Sequence, residues 1–320
     1  MTAYTTQHLP PSFVTIVIPI FGSVTVLQEL VSRLEDALIN QCDRWEIILV
    51  EDGGPDENWI ETARLATTVE SVIGVRLSRN FGQQEAIAAG IAESTGDTIV
   101  VMDCDLQDPP ECVGRLLDAL REGADIAIGN RVVESAGPVR NTINYAYYWC
   151  LSRLSGYQID PQQGTFSAIR RVVADSYLGM SDLDRPYRLV LDWLGFKVER
   201  IDFERIGRTS GASTYSLWRL MKFALSGVVF QSTRLLYASI FFGALTSGCA
   251  FLMGLYYIFN ALRGKPPEGW ASTIVVNLML GGIILIAIGV MGVYVGKIFN
   301  QTRGRPMYIV RAKLGTRLSK

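Results

Sequence analysis

The chain has 320 residues, a formal net charge of −1 and a hydrophobic content of 49%. A nearly neutral chain offers no basic field, so we expect no nucleic-acid partner. The one histidine, His8, lies in a polar stretch near the N-terminus, which argues against a histidine base or a Ser-His triad. Any chemistry must therefore rest on carboxylates, cationic side chains, amides and a metal.

Short β-rich runs alternate with amphipathic stretches after residues 1–12, which we expect to be a flexible tail. The runs predict strands at 13–21, 46–53, 73–78, 98–105 and 125–131. Helical periodicity is clear in VLQELVSRLEDAL and ECVGRLLDALREG. Strand and helix in alternation predict an α/β domain, a Rossmann-like, mostly parallel sheet with helices on both faces.

Polar side chains collect where the predicted strands end. Ligands of open α/β sheets bind beyond the carboxyl ends of the strands. The five ends carry Pro19, Phe21, Glu51, Asp52, Arg79, Asn80, Asp103, Asp105, Asn130 and Arg131. Five strand ends that meet at one edge, four of them with polar side chains, predict a binding site there. The chain lacks G-x-G-x-x-G opening a helix and G-x-x-x-x-G-K-[ST], which argues against a dinucleotide dehydrogenase and a P-loop enzyme.

The stretch VVMDCDLQDPPE, residues 100–111, runs from an apolar strand into carboxylates. Side chains alternate along a strand, so Asp103 and Asp105 can face the same way. Carboxylates and the amide oxygen of Gln107 are hard ligands that suit Mg²⁺ or Mn²⁺. The alternative is a solvated turn, but the other polar strand ends favour a metal beneath a diphosphate.

Two long uncharged stretches follow. Residues 235–262 and 273–296 contain no Asp, Glu, Lys or Arg, and each exceeds the ~20 residues that a helix needs to cross the hydrocarbon. Buried core helices are the alternative, although soluble helices of this length rarely lack every charge. We predict two transmembrane helices within 235–299, preceded by a juxtamembrane interfacial helix at 216–234.

Basic residues flank the outer ends of this hairpin. The flanks carry Arg219, Lys222, Arg234, Lys297, Arg303, Arg305, Arg311 and Lys313, whereas the loop holds Arg263 and Lys265. The positive-inside bias predicts a cytoplasmic (inner or plasma) membrane protein with its N-terminal domain, both termini and a basic tail, 300–320, in the cytoplasm. Glycines in the spans permit close helix contacts, so a homo-oligomer is a further expectation.

The motifs also resemble a known family. They are VTIVIPIFG, EIILVEDGGPD, LSRNFGQQEAIAAGI, VVMDCDLQDPPE, IAIGNRV, GTFSAIRR and ERIGRTSGASTYS, in family order and followed by the spans. The set resembles the family-2 inverting glycosyltransferases of the GT-A fold. It resembles more closely the polyprenyl-phosphate glycosyltransferases, relatives of dolichol-phosphate mannose synthase that include bacterial bactoprenol enzymes. The resemblance implies a GT-A catalytic domain at 13–215.

The resemblance also implies a role for each matching position. The nucleotide sugar would be bound by Pro19, Phe21, Glu51, Asp52, Arg79, Asn80, Gln83 and Asp103. A divalent metal, Mg²⁺ or Mn²⁺, would be held by Asp105, Gln107 and Asp103. The lipid phosphate would be bound by Arg131, Arg205, Arg208 and Ser213. For the last two arginines the alternative is attraction to anionic lipid at the membrane surface.

The implied catalytic residues are Asp103, Arg131 and Asp160, of which Asp160 is the least well matched. Relatives often carry an acidic residue close to the stretch that reads GTFSAIRR here, and Asp160 is the nearest candidate. The presumed nucleophile is a phosphate monoester, whose second pKa of about 6 leaves it largely ionised at neutral pH. A strong base is therefore less needed, and Asp160 could instead orient the acceptor or cap a turn.

The reaction that follows is the transfer of a sugar from a nucleotide sugar to a polyprenyl phosphate, such as undecaprenyl phosphate, with inversion. UDP-glucose is the first expectation for the donor, with GDP-mannose and UDP-N-acetylglucosamine behind it. A processive polysaccharide synthase is one alternative, but such enzymes carry Q-x-x-R-W and more spans. A non-catalytic scaffold or flippase-associated module is the other, and it predicts a decayed metal site.

Overall fold

The computed structural model describes residues 12–22, 25–132, 163–183, 185–204, 234–263 and 269–315. Its strands are β1 Phe13–Ile20, β2 Arg44–Glu51, β3 Val72–Leu77, β4 Thr98–Val101, β5 Ile126–Val132, β6 Gln163–Arg170, β7 Val198–Glu204 and β8 Val310–Leu314. Its helices are α1 Leu27–Leu38, α2 Asp56–Thr68, α3 Gln83–Glu93, α4 Val113–Arg121, α5 Arg171–Leu178, α6 Tyr187–Trp193, α7 Arg234–Leu262 and α8 Trp270–Thr302. All the strands and α1–α6 form one compact unit, whereas α7 and α8 belong to a second.

The eight strands form one mixed sheet in the order β7-β5-β6-β4-β1-β2-β3-β8. β1 is parallel to β2 and β4, β2 to β3, and β5 to β7. β6 lies between β4 and β5 and is antiparallel to both, while β8 is antiparallel to β3. β1–β5 and β7 therefore run in one direction, and their carboxyl ends share one edge. The predicted α/β sheet is confirmed, with antiparallel strands that the repeated strand-helix pattern did not reveal.

Helices cover both faces of the sheet, as predicted. One face packs against α1, α2 and α4, and the other packs against α3, α5 and α6. Alternate residues of each strand serve the two cores: Ile16 and Ile18 face α1, whereas Val17 faces α3. A Cβ added at Gly90 of α3 would lie 2.2 Å from Cγ1 of Val17. The absence of a side chain at Gly90 thus lets α3 approach β1 closely, with its N-terminus beside the edge where the parallel strands end.

The chain returns to the sheet after α8. Val310–Leu314 pairs with β3, and the amide of Ser78 donates to the carbonyl of Ile309 at 2.8 Å. We predicted only a basic tail at 300–320, and this description omitted the strand. A five-residue segment with two cationic side chains gives little apolar periodicity, so its pairing depends on the open edge of β3 rather than on its own pattern.

The two long helices are apolar and exposed. The segments Ser239–Tyr256 and Met279–Thr302 have mean hydropathies of 1.5 and 2.2, and none of either is buried. A core helix of a soluble protein would be mostly buried, which disfavours that alternative. Both helices are long enough to cross a membrane, and α8 extends beyond the predicted span at both ends. The predicted tail 1–12 and interfacial helix 216–234 lie, except for Ser12 and Arg234, outside the described residues.

Candidate active site

The predicted site edge is built from the carboxyl ends of the parallel strands, joined there by the start of antiparallel β6. Pro19 is buried within β1, whereas Phe21, just beyond the strand, is 62% exposed. Arg79 and Asn80 are exposed after β3. The Arg79 guanidinium lies 4.0 Å from the Phe81 ring centroid. Exposed aromatic and guanidinium planes are surfaces on which a nucleotide base stacks.

Glu51 is buried and stabilises the turn after β2 through hydrogen bonds. Its side chain is fully buried; Oε1 accepts from the Gly54 amide at 2.5 Å and Oε2 accepts from Nε of Arg76 at 3.1 Å. Arg76 also pairs with Asp56, at 2.6 Å. Burial raises the pKa of the Glu51 carboxyl, against the opposing effects of the Gly54 amide and Arg76. Both carboxylate oxygens of this predicted nucleotide-binding residue are thus engaged by protein donors.

Asp52 ties the turn after β2 to the loop after β3. The Asp52 side chain is buried; Oδ1 accepts from the Phe81 amide at 2.8 Å and Oδ2 from the Gly82 amide at 2.9 Å. Burial raises the pKa of this carboxyl, although the two amides and Arg79 act in the opposite sense. Asp52 was predicted to bind the nucleotide, and its observed contacts hold in place the loop that carries Arg79 and Asn80.

Gly53 completes this junction because its backbone lies directly against the loop after β3. Its φ is +59°, and an added Cβ would lie 2.1 Å from the carbonyl carbon of Arg79. We expect Gly53→Ala to destabilise the protein by about 3 kcal/mol, since it combines left-handed strain with a backbone clash. The sequence predicts nucleotide contacts for Arg79 and Asn80 in this loop, so we also expect weaker binding of UDP, the nucleotide of the first expected donor, because the loop must shift. Thermal unfolding and calorimetric titration with UDP measure the two effects.

Gly195 provides the matched control for Gly53. Its φ is +74°, and an added Cβ would meet nothing within 4 Å. Gly195→Ala should therefore show the conformational strain alone, about 1 kcal/mol, with unchanged UDP affinity. Equal losses of stability in the two alanine variants would show that the close approach of Gly53 to Arg79 is unimportant.

Asp103 is held by side chains from two other elements. Its Oδ1 accepts hydrogen bonds from Nε2 of Gln83 at 2.7 Å and from Oγ1 of Thr165 at 2.8 Å. Gln83 is the first residue of α3, and Thr165 lies near the start of β6. Thr165 was not among the predicted site residues, although it belongs to the noted motif GTFSAIRR. The sequence gives no signal for this role, because the contact of Thr165 with Asp103 depends on the antiparallel pairing of β6 with β4.

The acidic segment after β4 is a turn rather than a continued strand. β4 ends at Val101, and Leu106 has a φ of +57°. The expectation that strand alternation aligns Asp103 with Asp105 is therefore wrong, because the regular strand stops before both. Asp105 is exposed, and its Oδ1 accepts a hydrogen bond from the backbone N–H of Gln107 at 3.2 Å. Burial raises the pKa of the intervening Cys104 to about 11, which makes it a neutral thiol at physiological pH.

The donor set of this turn fits a divalent metal that takes further ligands from a substrate. Gln107 is 6% exposed, and its Oε1 is buried without a hydrogen-bond partner among the described residues. Carboxylate and amide oxygens are hard ligands suited to Mg²⁺ or Mn²⁺. The described residues contain no group of three His, Cys, Asp or Glu placed to hold a metal. A metal here would therefore need phosphate oxygens or water to complete its coordination.

The remaining predicted residues concern the acceptor. Arg131 lies in β5, with its backbone at the site edge, and its neighbour Asn130 donates through Nδ2 to Oδ1 of Asp202 at 2.6 Å. The side chain of Arg131 lies outside the described part of the structure. So do the residues Asp160, Arg205, Arg208 and Ser213. The acceptor half of the predicted site therefore stays a prediction.

Comparison with known proteins gives relatives along almost the whole chain. A protein of Bacillus subtilis named uncharacterized glycosyltransferase YkcC is 30% identical over 304 residues, which cover 94% of each chain. A bactoprenol glucosyl transferase of Shigella phage SfX is 28% identical and covers 94% of this chain and 99% of its own. Among solved structures, the mannosyltransferase PcManGT of Pyrobaculum calidifontis, in complex with GDP-Man and Mn²⁺, matches with a TM-score of 0.49. It is 14% identical, over 71% of this chain and 65% of its own.

The family comparison covers the sheet and the candidate site. Residues 15–178 match the family model described as glycosyl transferase family 2. This range spans β1 to α5 and includes the turn after β2, the loop after β3 and the acidic turn after β4. The match agrees with the mixed sheet and with the resemblance drawn from the motifs. The chain belongs to glycosyltransferase family 2.

Proposed function

We propose that this glycosyltransferase moves a sugar from a nucleotide sugar to the phosphate of a polyprenyl phosphate, at the cytoplasmic face of a membrane. The observation that carries the proposal is the combination, in one chain, of a family-2 catalytic sheet and two long exposed apolar helices. A polyprenyl acceptor stays in the bilayer, so an enzyme that uses it must be held at the membrane surface. Undecaprenyl phosphate is the acceptor that we favour.

The pairing of β8 supports a two-span topology. β1–β7 precede α7, whereas β8 follows α8, and yet β3 and β8 are hydrogen-bonded neighbours in one sheet. The chain must therefore leave and return on the same side if both helices cross a bilayer. The excess of basic residues beside the outer helix ends, such as Lys297, Arg303 and Arg305, favours the cytoplasmic side.

We assign the donor half of the site to the described edge. Phe21, Arg79 and Asn80 would contact the nucleotide, and Asp103 would contact the sugar. Asp105 and Gln107, with Asp103, would hold a divalent metal. Such a metal, when bound, supplies positive charge against the diphosphate. Glu51, Asp52 and Gln83 would support these groups through the contacts described above.

The acceptor half would rest on cationic side chains. Arg131, Arg205 and Arg208 would bind the lipid phosphate, with Ser213 as a further donor, since guanidinium groups bind phosphate in a bidentate manner. The ionised lipid phosphate oxygen forms a bond to the anomeric carbon. The bond from that carbon to the diphosphate oxygen breaks, and its electron pair stays on the diphosphate. A single displacement of this kind inverts the anomeric configuration. Asp160 would orient the acceptor.

Glucose is the sugar that we propose first. Several relatives that match more than 90% of the chain are named bactoprenol glucosyl transferases, from Shigella phages and Shigella flexneri. At 28% identity the sugar itself can differ between relatives. UDP-glucose is therefore the leading donor, and GDP-mannose and UDP-N-acetylglucosamine are the alternatives.

A transfer assay with a panel of donors tests this function. Protein in detergent receives undecaprenyl phosphate, Mn²⁺ or Mg²⁺, and one of the three nucleotide sugars in radiolabelled form. We expect one donor to label the organic phase, with loss of the signal in EDTA. A sugar joined to the lipid through its anomeric carbon and a phosphate is cleaved by mild acid. Release of the label from the lipid under these conditions would therefore identify this linkage. If no donor labels the lipid and UDP fails to bind, the proposal is wrong, and a non-catalytic scaffold becomes the better interpretation.

A further inference from the structure

The carboxylate of Asp103 is fixed by two neutral donors. Oδ1 accepts from Gln83 at 2.7 Å and from Thr165 at 2.8 Å. A carboxylate oxygen has two lone pairs, so these bonds use the usual acceptor capacity of Oδ1. Hydrogen bonds to a charged acceptor are about twice as strong as neutral ones. The pair of donors therefore fixes the rotation of this side chain.

The two donors reach Asp103 from different parts of the sequence. Gln83 is 20 residues before Asp103, at the start of α3, and Thr165 is 62 residues after it. β6 pairs with β4 in the register Val101↔Ser167, which brings Thr165 past the end of β4. The Thr165 side chain is partly buried, whereas Gln83 is exposed. Thr165 is thus the donor with the more rigid setting, on a central strand of the sheet.

We propose that Thr165 is a positioning residue that orients Asp103 toward the sugar of the donor. The inference rests on the proposed function and deepens it, because it concerns how the site recognises the sugar rather than the nucleotide. Productive geometry tolerates a displacement of only about 0.5 Å, and a shift of about 1 Å can lower a rate by about 100-fold. Loss of the Thr165 hydroxyl removes one of the two described donors to Oδ1, so Asp103 is held less firmly. The contacts proposed for Phe21, Arg79 and Asn80 with the nucleotide are left unchanged.

The first test replaces the hydroxyl and then restores it. Thr165→Val keeps the branched shape that suits a strand but removes the donor, and Thr165→Ser keeps the donor. We expect Thr165→Val to lower kcat about 10-fold or more, with the affinity for UDP in the absence of metal unchanged. We expect Thr165→Ser to retain a kcat close to that of the native enzyme. A merely structural role would lower stability and UDP affinity together.

The second test measures coupling without catalysis. The ratio of the dissociation constant of UDP to that of UDP-glucose, both with Mn²⁺, reports the sugar contacts alone. Thr165→Val and Asp103→Ala should each lower this ratio. The double variant should show no further loss relative to Asp103→Ala, since Thr165 acts through Asp103. Independent, additive losses would overturn the inference.

Thr62→Val is the matched control for both tests. Thr62 also donates a hydrogen bond, 2.7 Å to the carbonyl of Asn58, but within α2. Its valine variant should keep the native kcat and the native binding ratio. A Thr165→Val variant that behaves like Thr62→Val would overturn the inference. An unsubstituted enzyme that neither transfers sugar nor binds UDP would instead contradict the proposed function.

Discussion

Replacement of Asp105 by asparagine is expected to lower the efficiency of sugar transfer, kcat/KM, by at least about 100-fold at limiting Mn²⁺. Asp105 is exposed, and its carboxylate accepts a hydrogen bond from the backbone N–H of Gln107 at 3.2 Å. An asparagine Oδ1 can accept the same bond, so the turn should keep its conformation. The variant removes the negative charge that a metal ligand supplies. Transfer assays across a range of Mn²⁺ concentrations measure the effect.

The metal dependence separates a ligand from a structural residue. Loss of one carboxylate ligand weakens metal binding, so excess Mn²⁺ should restore part of the activity of Asp105→Asn. Asp175→Asn is the control, because Asp175 is an exposed residue of α5 whose nearest cation, Arg171, is 3.9 Å away. It should behave as the native enzyme at every concentration. Activity of Asp105→Asn within about threefold of native would remove Asp105 from the metal site.

The parts of the fold that could be predicted from the sequence are those that depend on local pattern. The charge-free stretches 235–262 and 273–296 predict the existence of α7 and α8, because length and apolarity suffice, although α8 extends three residues before and six residues beyond its predicted span. The apolar runs predict β1–β5, since central strands covered on both faces are continuously apolar. The polar strand ends predict the site edge, because parallel strands end together.

The parts that could not be predicted depend on pairing between distant segments. β6 and β8 are antiparallel to their neighbours, and their order in the sheet is not encoded in either strand alone. The contact of Thr165 with Asp103 follows from the register of β6, so the spacing of residues within GTFSAIRR does not predict it. Glu51 and Asp52 are buried, and apart from Gly54 the hydrogen-bond partners of their side chains likewise come from the neighbouring strand β3 and the loop that follows it.

The contrast between local pattern and long-range contacts also applies to the candidate site, where some predicted residues support the site and others are exposed at its edge. Sequence motifs group Asp52, Arg79 and Gln83 as nucleotide contacts. In the structure, the buried Asp52 carboxylate accepts hydrogen bonds from backbone amides, and Gln83 donates a hydrogen bond to Asp103. Arg79 is exposed to solvent, and its guanidinium lies over the Phe81 ring. A motif records that positions belong to one site, whereas burial and hydrogen bonds reveal whether a side chain can reach a ligand or holds its neighbour.

Truncation after Gly304 is expected to lower the thermal midpoint by about 10 °C or more and to weaken UDP binding. The truncation removes β8, the Ser78–Ile309 hydrogen bond of 2.8 Å and the packing of Tyr308 on two core clusters. Loss of a core aromatic side chain typically costs about 3–5 kcal/mol, and Tyr308, which is partly buried, should contribute less than this, with the strand pairing adding to the loss. In a domain of this size 1 kcal/mol corresponds to about 2–4 °C. Thermal unfolding in detergent measures the loss.

A second contact explains why the loss should reach beyond the edge strand. Arg185 is 8% exposed, and its Nε and Nη2 lie 3.1 Å and 2.8 Å from Sδ of Met307. Removal of Met307 leaves part of a buried guanidinium without an acceptor, which is unfavourable in a protein interior. Met307→Ala should therefore reproduce part of the destabilisation while β8 stays present. Met307→Leu, which keeps the volume and removes the sulfur, separates the lost acceptor from lost packing.

The effect on UDP follows from the position of β8 beside β3, because Ser78 begins the loop that carries Arg79 and Asn80. Without the carbonyl of Ile309, the Ser78 amide should lose protection from hydrogen exchange, and the loop should become less ordered. Truncation after Gly315 is the control, since it keeps β8 and should preserve the thermal midpoint, the protection of Ser78 and the UDP affinity. A Gly304 truncation that is less stable but binds UDP with native affinity would mean that β8 stabilises the sheet without ordering the loop.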